Sequence, residues 1–258
     1  VIVALNERNE RRTKILSYLM TKLSGAGFSI FIFFIATLFL ADFDMYEAVK
    51  NIANPFIWLV FYGYGIVCSL FIDLLVFKIP KINTTIKVIL YILAGYIIFI
   101  PWGWLALIAG TVGALCSLLF YLGMYLSQRK MVFKYGFAIM APFILVILMN
   151  LDFTIKMKWE ETKGDSSYTA SFSYFNGEHA IPIHAKKGQT ITFSVQFNNI
   201  NEGGYGYHVL NEENELVGMN EGDEQQHRIE VKDSGIYRII VTGDGLKGSF
   251  QVVWDVEE

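Results

Sequence analysis

Two periods divide the chain. Up to about position 151 it runs in long apolar stretches broken by short polar segments, and beyond that apolar and polar residues alternate. A bilayer-crossing helix needs about 20 apolar residues. Five stretches meet that need, at about 24–41, 55–77, 88–104, 105–126 and 135–151. The third and fourth form one 39-residue run, about 58 Å of helix at 1.5 Å per residue, against a hydrocarbon core of about 30 Å. Pro101 and Gly103 break it, and Trp102 and Trp104 suit a hairpin tip at headgroup level, where amphipathic rings concentrate. Residues 1–22 read as a basic flank entering the first span. No small-x-small pattern follows them, so a cleavable leader is not expected.

In the second part, Tyr168, Ala170, Phe172 and Tyr174 alternate with Ser and Thr. Ile191, Phe193, Val195 and Phe197 do the same, as do Phe250, Val252, Trp254 and Val256. A two-residue repeat marks half-buried strands. Further strands are predicted at 154–161, 179–185, 204–211, 215–219, 226–232 and 236–242, separated by glycine- and asparagine-rich turns. The expected fold is a membrane α-helical bundle over 1–153, then an all-β, jelly-roll-like sandwich over 154–258.

Charge sharpens this division. Residues 1–153 carry 12 Lys/Arg against 7 Asp/Glu, and 154–258 carry 9 against 17. Near the predicted span ends, eleven basic residues (Arg8, Arg11, Arg12, Lys14, Lys22, Lys78, Lys81, Lys87, Arg129, Lys130, Lys134) fall on one side. Lys50 stands alone on the other, among Asp42, Asp44 and Glu47. The positive-inside rule then puts the N-terminus in the cytoplasm and the sandwich outside a bacterial cytoplasmic membrane. A formal net charge of −3 excludes a generally basic nucleic-acid binder. The two cysteines, Cys68 and Cys116, lie in apolar runs and read as small packing residues. Neither a disulfide framework, a metal site nor a cofactor is expected.

The run KKGQTITFSVQFNNINEGGYGYHVLNEENELV, with GIYRIIVTGD and the closing KGSFQVVW, resembles the small β-sandwich of Gram-positive surface lipoproteins, itself similar to jelly-roll carbohydrate-binding and GOLD-type domains. The resemblance covers about 178–256, rests on turn glycines and core residues, and implies a fold rather than a chemistry. The lipobox cysteine of such lipoproteins does not precede the domain; the five spans stand in its place. The helical part resembles small multi-pass proteins of the same bacteria, through its helix count and YGIVCSLFIDLL.

Asp73 is the acidic residue inside a predicted span, and intramembrane acids are functional candidates by default. Five residues from Lys78, it can also reach headgroup water or pair with a lysine. Small residues spaced by four (Gly65 and Ser69; Ala106, Gly110 and Ala114; Gly113 and Ser117) let helices approach closely, within the chain or in an oligomer. Tyr62 and Tyr64 beside them could line a cavity. In the outer part, Asn198, Asn199, Tyr205 and Tyr207 in NNINEGGYGYH form a candidate binding edge of amides and rings, or an ordinary hairpin with its rings in the core. The acidic stretches 212–215 and 220–224 lack the spacing of a calcium loop. His179, His184, His208 and His227 belong to no catalytic motif.

The expectation is a non-enzymatic membrane protein presenting a binding or sensing domain, as an accessory, receptor or immunity-type subunit. Its partners would be the bilayer, another membrane protein and a wall polymer or peptide outside, with a homo-oligomer possible. The alternative is a small oligomeric channel or transporter using Asp73 and the Gly-rich helices; a membrane enzyme finds no clustered polar residues to support it.

Overall fold

The computed structural model of the protein describes residues 2–221 and 226–257, with side chains over 10–220 and 226–257. The chain divides into two compact units, Val1–Leu151 and Asp152–Glu258.

The first unit is helical: α1 (Ile2–Leu40), α2 (Met45–Ile52), α3 (Pro55–Lys78), α4 (Thr84–Ile97), α5 (Leu105–Arg129) and α6 (Met131–Leu148). Four of them, α1, α3, α5 and α6, contain segments long and apolar enough to cross a membrane, whereas α4 is a shorter apolar helix of 14 residues. The helix expected over 88–104 therefore starts earlier and stops sooner. It begins at Asn83, whose side chain accepts from Ile86 N–H, and gives way after Ile97 to a 3₁₀ turn, Ile100–Trp102, containing Pro101. Gly103 then turns the chain at φ +62°, a conformation that glycine adopts without cost.

The segment 42–54, read from sequence as a loop, holds a helix. Asp44 accepts hydrogen bonds from the N–H groups of Tyr46 and Glu47, capping donors that would otherwise go unpaired. Ala48, Val49 and Ile52 are buried.

Two helices carry π turns, at Leu59–Tyr64 in α3 and Gly136–Met140 in α6. The second lies just ahead of Pro142, whose ring would clash with the carbonyl four residues back in a regular helix. Helices meet most closely at glycines. A Cβ on Gly27 in α1 would lie 1.8 Å from the Phe137 carbonyl oxygen of α6, and one on Gly113 in α5 would lie 2.3 Å from the Gly95 carbonyl of α4. Ala26, Ile72, Tyr91, Phe120 and Met124, from four helices, pack together at the centre.

Among its described residues the second unit is one antiparallel sheet of eight strands: β1 (Ile155–Met157), β2 (Glu160–Lys163), β3 (Ser167–Ala185), β4 (Thr190–Asn199), β5 (Gly204–Leu210), β6 (Asn220–Glu221), β7 (His227–Glu230) and β8 (Gly235–Glu257). The main order is β1-β3-β8-β4-β7-β6, with β2 on β3 and β5 on β8. Two expected pairs of short strands are in fact single long strands. In β3 the side chains that join the core are Tyr168, Ala170 and Phe172, then Phe175, Ile181, Ile183 and Ala185; in β8 they shift from Tyr237, Ile239 and Val241 to Leu246, Phe250 and Val252. Each strand thus changes from one parity to the other midway, at the register shifts between Phe172 and Gly177. Irregularities of this kind bend a strand and re-aim its side chains. Both halves of both strands contribute to the same core, so the sheet folds over itself around β3 and β8. Near 215–219 only an isolated bridge forms, between Leu210 and Leu216. Of the acidic stretch at 220–224, residues 222–224 lie outside the described residues.

Candidate functional site

The richest polar chemistry lies inside the helical unit, around Asp73. One oxygen of its carboxylate receives Lys22 Nζ of α1 and, at 2.9 Å, the Tyr18 hydroxyl; the other receives Lys87 Nζ of α4 at 3.0 Å. Lys22 is 2% exposed: although it counts among the basic residues near the span ends, its side chain is packed inside the helical unit. It also donates to Ser69 Oγ at 2.7 Å, and Ser69 Oγ is 2.7 Å from the Tyr91 hydroxyl. Lys78 is not among the partners of Asp73. A buried ammonium without an anion would be costly, and this network gives it one while tying α1, α3 and α4 together.

The network forms one wall of a cavity of about 480 Å³ to which α1, α3, α4, α5 and α6 contribute. α1 supplies Lys14, Ser17, Thr21 and Lys22, α3 Asp73 and α4 Lys87; α5 supplies Tyr121, Tyr125 and Gln128, and α6 supplies Lys134. Lys134 Nζ donates to Ser17 Oγ at 2.9 Å. Among the described residues, Asp73 is the only acidic one lining the cavity, against four lysines. The signal was present in the sequence: Lys14, Ser17, Thr21 and Lys22 recur at helical spacing, and Gly65, Ser69 and Asp73 continue one stripe spaced by four.

A second cavity of about 310 Å³ is almost wholly apolar, with Phe33, Phe61, Tyr64, Cys68, Gly95 and Cys116 in its walls. Tyr91 and Phe120 line this one and their neighbours Tyr121 and Met124 the other. The Ser69 hydroxyl, bonded to Tyr91 and 3.4 Å from Met124 Sδ, stands between the two. Tyr64 reaches across to the Ala94 carbonyl at 2.5 Å; Tyr62 stacks on Trp58 instead.

The small residues singled out from sequence sit at contacts within the chain. Gly65 faces Phe120, Gly110 leaves room for the Tyr96 ring, and Gly113 abuts Gly95. Ser117 Oγ donates to the Tyr91 carbonyl at 2.7 Å. Ala114 is buried and Ala106 half-buried. Further close approaches, at Gly25, Gly27 and Gly123, lie outside the stripes read from the sequence.

In the β unit the four candidate binding residues do not converge. Asn198 is on the exposed face of β4, while its neighbour Asn199 has a buried amide oxygen without a hydrogen-bond partner among the described residues. Tyr205 is 57% exposed and packs on Phe197. Tyr207 packs against the core, its hydroxyl 2.5 Å from His227 Nε2. The intervening loop is clamped by Asn201, which donates to the Gly245 carbonyl and accepts from Lys247 N–H. Among the described residues no group of three His, Cys, Asp or Glu side chains is placed to hold a metal.

A different cluster is prominent there. Trp159 stacks on Phe172 with ring centroids 5.4 Å apart, and its indole N–H donates to Glu161, which also accepts from the Tyr168 hydroxyl. His179 packs among Trp159, Tyr168 and Phe250. Its Nδ1 lies 2.8 Å from Lys156 Nζ; the ammonium donates there, leaving the imidazole proton on Nε2. Burial first, and the Lys156 charge second, push the His179 pKa down to about 4. The unfolded chain would bind that proton near 6.5. Between those values the unfolded state holds more protons, so this group removes stability as pH falls from about 6.5 towards 4. In ¹³C-histidine-labelled protein, the resonance lost in His179→Gln is expected to titrate near pH 4. A midpoint near 6.5 would mean that the ring is open to water.

No protein-family model matches the chain, and no curated protein matches it. Among solved structures, PliG from Aeromonas hydrophila, a periplasmic lysozyme inhibitor of g-type lysozyme, is similar over 38% of this chain and 86% of its own, at 24% identity and a TM-score of 0.24. A superposition that loose speaks neither to fold nor to function.

Proposed function

We propose that the chain is a non-enzymatic integral membrane protein with five membrane-crossing helices, a cytoplasmic N-terminus and an extracytoplasmic β unit of jelly-roll-like character. The β unit serves binding or sensing, and the protein is an accessory, receptor or immunity-type subunit docking to another membrane component. The observation that carries this reading is that the helical unit spends its special residues on itself. Asp73 is bonded to Lys22, Lys87 and Tyr18 of the same chain, and the spaces beside Gly110 and Gly113 are taken by Tyr96 and Gly95. A channel built from copies of the chain would need that acid or those faces free. The eleven-to-one excess of Lys and Arg supports the orientation.

The test is purification of tagged full-length protein from its native membrane in mild detergent, with the particle mass recorded. Co-purification of a second protein in fixed ratio, lost when β-unit surface residues such as Asn198 and Tyr205 are replaced, is the expected result. A clean homo-oligomer without a second component would overturn it in favour of a channel.

A further inference from the structure

We infer that the lysine-lined cavity of the helical unit is a binding site for a phosphate group, a function separate from that proposed for the β unit. The inference rests on the membrane-spanning reading of the helices. Four lysines converge from α1, α4 and α6, and among the described residues Asp73 is the one carboxylate in the walls. Lys22 and Lys87 share it. Lys14 and Lys134 add charge that no other acidic residue among the described residues of the cavity balances. Cations gathered where the dielectric is low repel one another, and an anion between them relieves that repulsion. The positive-inside count puts this end of the bundle at the cytoplasmic headgroup layer.

Generic attraction between lysines and headgroups needs only side chains reaching outward. This site is instead a half-open cleft with a buried floor. Five helices line it, Lys22 at its floor is 2% exposed, and neutral donors are interleaved with the ammonium groups: Ser17, Thr21, Tyr121, Tyr125 and Gln128. A phosphate presents several acceptor oxygens and up to two negative charges, and charge-assisted hydrogen bonds to it are the strong ones. A carboxylate ligand would carry fewer of both. At about 480 Å³ the space holds a phosphate with part of its substituent. The phosphate can arrive as the headgroup of a lipid or as a free or soluble phosphate.

Full-length protein in phosphatidylcholine nanodiscs is the starting point, with three additions compared by native mass spectrometry: phosphatidic acid, phosphatidylserine and inorganic phosphate. One bound phosphatidic acid per chain, retained in preference to phosphatidylserine, is expected if the source is lipid. Saturable inorganic phosphate binding that displaces it assigns the site to free phosphate. In either case Lys14→Gln/Lys134→Gln, which leaves the Asp73 pairs intact, should weaken retention about tenfold or more. Lys78→Gln/Lys81→Gln removes the same charge outside the cavity and should change it less than twofold. Equal losses in the two double variants, or no retained phosphate in protein stably inserted in the disc, would overturn the inference while leaving the membrane reading standing. Failure of the protein to insert at all would remove both.

Discussion

Asp73→Ala is expected to lower the thermal midpoint of the helical unit by several degrees in detergent. The measurement is a thiol-reactive dye reporting exposure of Cys68 and Cys116, the two cysteines of the chain, both in this unit. The physical basis is the asymmetry between making and breaking a buried ion pair. Removing one partner leaves the other charge desolvated and costs about 3–5 kcal/mol. Asp73 is 27% exposed at its side chain but Lys22 only 3%, so the lower end of that range applies. Lys87, at 25%, can turn its ammonium to water along its flexible stem; Lys22 cannot. Replacing both charges, in Lys22→Met/Asp73→Leu, should recover most of the loss, because an apolar pair of similar volume often matches a buried ion pair. If Asp73→Ala melts within a degree of the parent, water serves Lys22 as well as the carboxylate does.

The largest effect in the β unit is expected from Gly248→Ala. Gly248 sits at φ +134°, and a Cβ there would lie 2.1 Å from the Asn198 carbonyl oxygen. Neither side can give way easily, since Asn199 pairs with Gly248 and Asn198 with Ser249 in the β4–β8 ladder. Backbone strain at such angles costs about 1–3 kcal/mol, and overpacking adds a comparable amount. Hydrogen exchange of the full-length protein should therefore show β4 and β8 losing protection together. Gly218→Ala is the matched control, with open space around its Cβ position and no positive φ. Protection in β4 and β8 that survived Gly248→Ala would mean that the bend tolerates a side chain.

That bend also marks what the sequence concealed. Alternation announced the β unit, because the core-facing side chains of each half-strand recur with period two. It could not announce that two halves were one strand, because a parity change looks like a turn. Phe172 and Phe175 fall on the core side with an odd spacing, and only the paired register reveals continuity. Helix α2 was legible in principle: Asp44 followed by Glu47, then Ala48, Val49 and Ile52, is a cap followed by an apolar face. Counting those residues as loop charges hid it. The Asp73 site was half legible. Its stripe through Gly65 and Ser69 pointed inward, but the partner Lys22 lies 51 residues away, and no periodicity links two helices across that distance. The candidate edge at 198–208 was legible in composition but not in facing: strand parity sends Asn198 and Asn199 to opposite faces, which leaves Asn198 and Tyr205 as its exposed members.

The π turn in α3 carries a consequence for how this helix can change length. Within it the Gly65 N–H reaches back five residues, to the Val60 carbonyl, so the segment before Gly65 holds one residue more than a regular helix would need. Everything after it is rotated by about 100°, the angular step of one residue at 3.6 per turn. Gly65, Ser69 and Asp73 face inward only because of that offset. Losing one residue between 59 and 64 would heal the helix into ordinary geometry and leave the acid facing Lys22, because the turn already absorbs that residue's step; regularising the turn at full length would instead swing the acid away by about 100°. The orientation of the site is thus stored as a surplus residue nine or more positions upstream of Asp73, where a one-codon deletion would be far milder than a substitution of the carboxylate.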